Sequence, residues 1–217
     1  MSNLYQYITE NYKENEPFFL SDIQIEGMTE NNILLLTAIE KAGTTDSEKV
    51  KRFDKGIYYL PQPSIFKSGA RPTLERVLEY KYLCDKSNRC GYISGLLFFN
   101  QLGLTTQVPM QYEIVTNKAT NEYRETFLAK SRIIIRKPKV PVTEENYMAL
   151  QFLDMLKDVD VYSEMSGIAL QKRLYQYMRK VGLRISDLES YFPYYPDKLY
   201  KNLVETRVIY NDVLTQE

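Results

Sequence analysis

The stretch KVKRFDKGIYYLP at residues 49–61 decides the fold of the N-terminal part of the chain. Residues 57–60 are a short apolar and aromatic run, residues 49–53 contain Val50 and Phe53 among three cations, and Asp-Lys-Gly at 54–56 separates the two segments. Two strand-like runs joined by a short connection that contains glycine predict a β-hairpin. We therefore place a hairpin at the end of the first predicted domain.

Three helices are predicted before this hairpin. Residues 3–13 carry apolar and aromatic side chains at the spacing of an amphipathic helix, Ser21 opens a short helix, and Thr29 can cap a helix that runs to about Ala42. Three helices followed by a hairpin is the order of elements in a winged helix-turn-helix domain. In this interpretation the third helix is the recognition helix and the hairpin is the wing.

Beyond the hairpin, the sequence predicts a linker and a second domain. Residues 63–72 contain Pro, Gly and Ser in the proportions of a linker, so we predict a winged helix-turn-helix domain at 1–62 and a C-terminal domain at 73–217. The second domain combines a small β-sheet with helices packed on it, which is an α+β fold. Its predicted strands are 112–116, 122–128 and 133–135, and its predicted helices begin at Thr73 and span 92–102, 144–157, 164–181 and 197–209.

Charge is balanced over the whole chain but not along it. There are 28 basic and 28 acidic residues, so the formal net charge is zero. Residues 1–62 contain six Lys or Arg against ten Asp or Glu, whereas the remainder contains twenty-two against eighteen. A neutral total argues against a strong overall attraction to nucleic acid or membrane, so any interface with DNA must come from local groups of cations.

The absence of histidine restricts the chemistry more than any other feature of the composition. It excludes Ser-His-Asp and Cys-His nucleophile systems and the usual zinc-site patterns. We therefore predict that the protein is not an enzyme and has no metal site and no cofactor. The enzymatic alternative is carboxylate chemistry that uses residues such as Glu113 and Glu122.

The sequence also predicts a cytoplasmic protein without a membrane partner. It has no run of about 18 apolar residues that would predict a transmembrane helix. The polar, Tyr-rich N-terminus lacks the pattern of a signal peptide. Cys84 and Cys90 are too few for a secreted disulfide framework, so we expect both to remain thiols.

Four segments carry a resemblance to a known family. They are GYISG at 91–95, NQLGLTTQVP at 100–109, EIVTN at 113–117 and KGIYYLP at 55–61. The first three are similar to the C-terminal domain of the AbiE-type antitoxins, the transcriptional regulators of type IV toxin–antitoxin systems, and the fourth resembles the wing of that family. The similarity covers roughly residues 15–157.

The resemblance implies a phage-defence protein with two activities. The winged helix would bind the promoter DNA of its own operon and repress transcription. The C-terminal domain would counter a nucleotidyltransferase toxin, and a stable complex between antitoxin and toxin is not required in this family.

The candidate DNA contacts are two asparagines and eight cations. Asn31 and Asn32 lie in the first turn of the predicted recognition helix, where Asn can bind adenine through paired hydrogen bonds. The alternative is that both only cap the helix. The cations expected to contact phosphates, or otherwise to form a solvated face, are Lys49, Lys51, Arg52, Lys55, Arg132, Arg136, Lys137 and Lys139.

Two further features favour a structural interpretation. The Tyr-rich segment at 191–196 is more typical of packing between helices than of base stacking. A basic group on or just beyond the helix predicted at 164–181 has the spacing of an exposed stripe, which favours solubility over binding. Its members are Lys172, Arg173, Arg179, Lys180 and Arg184.

A second function remains open beside the DNA-binding antitoxin. It is a protein-interaction adaptor whose winged helix no longer binds DNA, and the net acidity of residues 1–62 motivates it, because acidic winged helices can have that role. Binding to the protein's own promoter separates the two functions.

Overall fold

A computed structural model describes residues 3–25, 50–64, 69–86 and 88–210. Within them the chain is mixed α and β with small sheets. It divides into two compact units, Met1–Lys81 and Tyr82–Glu217, so the linker predicted at 63–72 falls inside the first unit. The predicted helix at 29–42 lies outside the described residues, as do Asn31, Asn32 and Lys49.

The first unit contains a helix and a three-stranded antiparallel sheet. Helix α1 (Asn3–Asn11) precedes strand β1 (Pro17–Phe19), and β2 (Lys51–Asp54) and β3 (Ile57–Tyr59) form the predicted hairpin. The sheet order is β1-β3-β2, because β3 pairs with both of the other strands. The predictions of the first helix and of the hairpin are therefore confirmed, while the short helix expected at Ser21 is a single 3-10 turn, Leu20–Asp22.

The hydrophobic core of this unit follows from the amphipathic pattern of α1. Leu4 and Ile8 are one turn apart on the same face of the helix, and both are fully buried. They pack with Phe18 of β1 and Tyr58 of β3. The ring of Phe18 also stacks on Tyr12, with 4.7 Å between centroids.

Helix α2 (Leu74–Leu78) begins as predicted at Thr73, whose hydroxyl oxygen accepts a hydrogen bond from the backbone N–H of Arg76 at 3.3 Å. It continues into a π-helical turn at Glu79–Leu83. Before it, the backbones of Gln62 and Ala70 exchange two hydrogen bonds of 2.8 and 3.3 Å. These two bonds hold the backbones of Gln62 and Ala70 beside each other.

The second unit is built on a four-stranded mixed sheet that follows a small hairpin, β4 (Cys84–Asp85) and β5 (Asn88–Arg89). The sheet order is β6-β7-β9-β8, with a parallel pair at its centre, β7 and β9, and antiparallel pairs on both sides. The strands are β6 (Gly91–Ser94), β7 (Gln111–Thr116), β8 (Tyr123–Leu128) and β9 (Ser131–Arg136).

Helices cover this sheet and form the largest core cluster. Phe99, Phe152, Leu174 and Leu199, from four different helices, are buried in that cluster. The segment at 191–196 packs there too, since the hydroxyl of Tyr195 donates to the carbonyl oxygen of Leu150 at 3.1 Å. The helices are α3 (Gly95–Gln101), α4 (Tyr147–Leu156), α5 (Val159–Tyr162), α6 (Gly167–Val181), α7 (Ser186–Glu189) and α8 (Lys198–Glu205).

The predicted helix at 92–102 is wrong in its first turn. Gly91–Ser94 form β6, which pairs with β7 from Gly91↔Thr116 to Ser94↔Glu113. The helix begins only at Gly95, whose φ of +63° separates it from the strand. A continuous apolar run is compatible with both structures, and the available partner strand decides between them.

Candidate nucleic-acid interface and the charge network of the second unit

The β2–β3 hairpin carries three of the predicted cations. Lys51 and Arg52 lie in β2 and Lys55 lies in the turn, with Arg52 and Lys55 exposed. Asp54 shapes this turn, because its carboxylate accepts from the backbone N–H of Lys55 at 2.7 Å and its carbonyl oxygen accepts from Arg52 Nε at 3.3 Å. Gly56 closes the turn at φ +73°, a conformation that glycine adopts without steric cost. The sequence therefore builds a tight turn with cations around it.

Arg71 is a further cation at this hairpin, and sequence reasoning missed it. Its Cζ lies 5.2 Å from the centroid of the Phe53 ring, a cation–π distance. Burial raises the pKa of Tyr59 in β3, and the positive charge of Arg71 opposes that rise. No local signal identifies Arg71, because it lies in the predicted linker and reaches the hairpin only through the fold.

The four predicted cations around β9 have different surroundings. The side chain of Arg132 is 45% exposed, and its Nη2 lies 2.7 Å from Glu125 Oε2. Lys137 and Lys139 are exposed beyond the end of β9. The guanidinium of Arg136 instead contacts the buried carboxylate of Asp154. Lys137 and Lys139 thus present their charges to solvent, whereas the charge of Arg136 is compensated within the protein.

An ion-pair network joins β6, β9 and α4. Asp154 is buried, with Lys157 Nζ 2.9 Å and Arg136 Nη2 3.1 Å from its carboxylate, and it accepts a hydrogen bond from the Ser94 hydroxyl. Burial alone would raise the pKa of Asp154, but the charges of Lys157 and Arg136 and the Ser94 hydrogen bond lower it by more. The carboxylate therefore stays ionised at neutral pH and ties α4 to the sheet.

Gly95 makes room for a second acidic group of this network. A Cβ at position 95 would lie 2.4 Å from both Cδ and Oε1 of Glu113. The Glu113 carboxylate lies 3.6 Å from Arg136 Nη2. The second glycine of GYISG and the glutamate of EIVTN therefore meet across β6 and β7. Glu113, one of the carboxylates named for the enzymatic alternative, is paired with a cation.

The LTTQVP loop is held by the carboxylate of Glu164 and by the side-chain amide of Asn100, which donates to the carbonyl oxygen of Gln107 at 3.1 Å. Glu164 accepts hydrogen bonds from the Thr105 hydroxyl at 2.8 Å and from both the backbone N–H and the hydroxyl of Thr106 at 2.9 Å. These hydrogen bonds lower the pKa of Glu164, and the bond from the backbone N–H of Thr106 has the largest effect. The same loop leaves Val108 82% and Met110 95% exposed. It therefore presents two apolar side chains to solvent from an anchored backbone.

In the described part of the chain, no group of three or more Cys, Asp or Glu side chains could hold a metal ion. No helix among the same residues is long and apolar enough to cross a membrane. Comparisons with protein-family models, with curated proteins and with solved structures found no match to this chain.

Proposed function

We propose that the first unit is a winged helix that binds duplex DNA, and that the chain is the transcriptional autoregulator of its own operon. The observation that carries the proposal is the sheet order β1-β3-β2, with α1 ahead of β1 and a hairpin formed by β2 and β3. In a winged helix, the strand between the first two helices pairs with the last strand of the wing. The pairing of β1 with β3 and the β2–β3 hairpin support the proposal, because they match this strand pairing.

The charges of the hairpin support the same proposal. Lys51, Arg52 and Lys55 surround one turn, and Arg71 adds its guanidinium over Phe53. Attraction to phosphates depends on the local group of cations and on the counterions that it releases, so a net-acidic unit can still bind DNA through one basic hairpin.

The more particular role, as an AbiE-type antitoxin that acts in the cytoplasm, rests on the resemblance of the central motifs. It is tested by expressing the chain together with the nucleotidyltransferase encoded next to it, where one exists. Relief of growth inhibition by this chain supports the antitoxin role, and continued inhibition in the presence of folded protein contradicts it.

The DNA-binding proposal is tested with the double variant Lys51→Gln/Arg52→Gln and a labelled duplex of the protein's own upstream region. Each lost phosphate contact reduces the slope of log K against log salt by about 0.9, so the double variant should lower the slope by about 1.8. Fluorescence anisotropy across a series of salt concentrations measures this change.

A matched control is Lys13→Gln/Arg76→Gln, which removes the same charge from the same unit. Both residues are exposed and lie away from the hairpin turn, since Lys13 precedes β1 and Arg76 stacks on Tyr80, whose hydroxyl donates to Glu16. Equal effects of the two double variants would show that overall charge, and not the hairpin, governs the affinity. Wild-type protein that does not bind the duplex at low salt would contradict the proposal.

A protein-interaction adaptor is the second candidate, and the exposed apolar side chains of the second unit favour it. Val108 and Met110 project from the loop held by Glu164, and Phe127 of β8 is 69% exposed. Exposed apolar patches mark protein interfaces, so these exposed side chains are candidates for one. Recovery of a neighbour-encoded protein that Val108→Ser/Met110→Ser abolishes, with no shift of the promoter fragment, would favour the adaptor.

A further inference from the structure

Helix α6 is the most strongly basic element of the described chain. Its sequence over Gly167–Val181 is GIALQKRLYQYMRKV, with four cations and no acidic residue. Exposed helices commonly balance their charges with pairs of opposite sign three or four residues apart. A sequence with this composition therefore presents uncompensated positive charge along its length.

The fold directs these charges to solvent. Leu170, Leu174 and Met178, which are spaced four residues apart, are buried in the core. Lys172 and Arg179 are exposed on the opposite side of the helix. They are seven residues apart, which corresponds to about 10.5 Å along the helix axis.

No carboxylate in the described ranges forms an ion pair with Lys172, Arg179 or Lys180. Other exposed cations of the second unit do have such a partner, for example Lys201 with Glu205 at 3.7 Å. Favourable interaction with the C-terminal end of the helix accounts for Arg179 and Lys180, which lie in the last turn. It does not account for Lys172, in the middle of the helix.

We propose that the exposed face of α6, defined by Lys172, Gln176, Arg179 and Lys180, binds the phosphate backbone of duplex DNA. The proposal rests on the proposed function only for the choice of duplex DNA as the polyanion. It adds a second interface, in a unit other than the one that carries the hairpin, and reassigns to binding a group of cations that the sequence alone favours as solubilising.

Two properties of the face fit a duplex. The axial distance between Lys172 and Arg179 is close to the width of the major groove, about 12 Å, so two long side chains can reach phosphates on both of its sides. The Gln176 side chain between them is also exposed and can donate a hydrogen bond to a phosphate oxygen.

The same face does not fit an anionic membrane. A helix that lies in a membrane interface must insert a free apolar side between the lipids. The apolar side of α6, formed by Leu170, Leu174 and Met178, is occupied by the protein's own core. The exposed side of α6 carries one large exposed apolar side chain, Ile168, beside its cations, and one isolated side chain is not an insertable surface.

The test uses the full chain, a labelled duplex of arbitrary sequence, and anisotropy across a series of salt concentrations. Lys172→Gln/Arg179→Gln is compared with Lys86→Gln/Lys201→Gln, which removes the same charge from exposed positions elsewhere in the second unit. Each phosphate contact releases about 0.9 counterion when it forms. Loss of two contacts should therefore lower the slope of log K against log salt by about 1.8 and weaken binding about sixtyfold at about 0.1 M salt. The control should retain the wild-type slope.

Equal slopes for the helix variant and the wild type overturn the proposal, and so does a control that weakens binding as much as the helix variant. Absence of binding by the wild-type chain at low salt also overturns it. Vesicles of phosphatidylserine and phosphatidylcholine form a further arm. Vesicle binding that the helix variant loses, with duplex binding unchanged, assigns the face to a membrane and overturns the proposal.

Lys51→Gln/Arg52→Gln, measured in the same series, separates the two interfaces. Loss of affinity in the hairpin variant alone overturns the role of α6 and leaves the proposed function intact. Loss in the α6 variant alone supports the inference and removes the hairpin from DNA binding. If both double variants lower the slope of log K against log salt, and the quadruple variant lowers it by the sum of the two, both surfaces contact the duplex at the same time.

Discussion

Replacing Asp154 by Asn is the most direct test of the charge network in the second unit. The substitution keeps the size and shape of the side chain, so it removes a charge without creating a cavity. It leaves Arg136 and Lys157, whose side chains are only 27% and 18% exposed, without their buried partner. Removing one member of a buried ion pair costs about 3–5 kcal/mol. We expect a loss near the lower end, about 3 kcal/mol, because Glu113 and Asp158 still contact the two cations.

The pH dependence of this loss has a definite sign. The pKa of Asp154 is lower in the folded protein than its usual value of about 3.9. A lowered pKa means that the ionised group stabilises the fold fully above the unfolded value, and that this stabilisation is lost as the pH falls through the folded value. The difference between wild type and Asp154→Asn should therefore be constant from about pH 7 to about pH 5 and should shrink below about pH 4.

Urea unfolding at each pH measures the difference in the free energy of unfolding. Hydrogen exchange of peptides from α4 and β9 follows the second unit separately from the first. The matched control is Asp158→Asn, because Asp158 lies 2.7 Å from the same Lys157 but is 35% exposed. An exposed pair contributes less than about 1 kcal/mol. A loss for Asp154→Asn no larger than that for Asp158→Asn, or one that does not diminish in acid, refutes the reasoning.

Three further predictions concern glycine, loop and cap positions. Gly91→Ala should destabilise the second unit by more than about 2 kcal/mol in urea unfolding, because its Cβ would lie 2.6 Å from a backbone oxygen. The control Gly182→Ala, at φ +71° with no atom within 4 Å, should cost only about 1 kcal/mol. Glu164→Gln should speed hydrogen exchange at the Thr106 amide while exchange in β9 stays unchanged, and equal exchange rates at that amide would contradict the anchoring role of Glu164. Thr73→Ala should lose about 1 kcal/mol from the first unit through the missing cap, and an unchanged urea midpoint would contradict the capping contact.

Much of the local structure can be predicted from periodicity and turn residues alone. The apolar spacing at 3–13 predicts α1, the Asp-Lys-Gly connection predicts the β2–β3 hairpin, and the β-branched run at 133–135 predicts β9. These signals succeed because each depends on residues within one or two turns, or on one strand and its connection. The three hairpin cations Lys51, Arg52 and Lys55 are predictable for the same reason.

Features that join distant segments cannot be predicted from such local patterns. The strand at 91–94 was predicted as helix because its apolar residues suit either structure, and only pairing with β7 fixes it as a strand. The parallel pairing of β7 with β9 and the position of Arg71 over Phe53 likewise depend on contacts that no local pattern encodes.

Arg136 shows the physical reason most clearly. Its sequence neighbours Lys137 and Lys139 suggest a basic surface, and its place at the end of β9 is predictable. Whether its charge faces solvent or a carboxylate depends on Asp154, which comes from a helix later in the chain. Residue type and local spacing determine which groups carry charge and which elements form, but packing between distant segments determines whether that charge is compensated, because the interaction of two charges depends on their distance in space and on their burial.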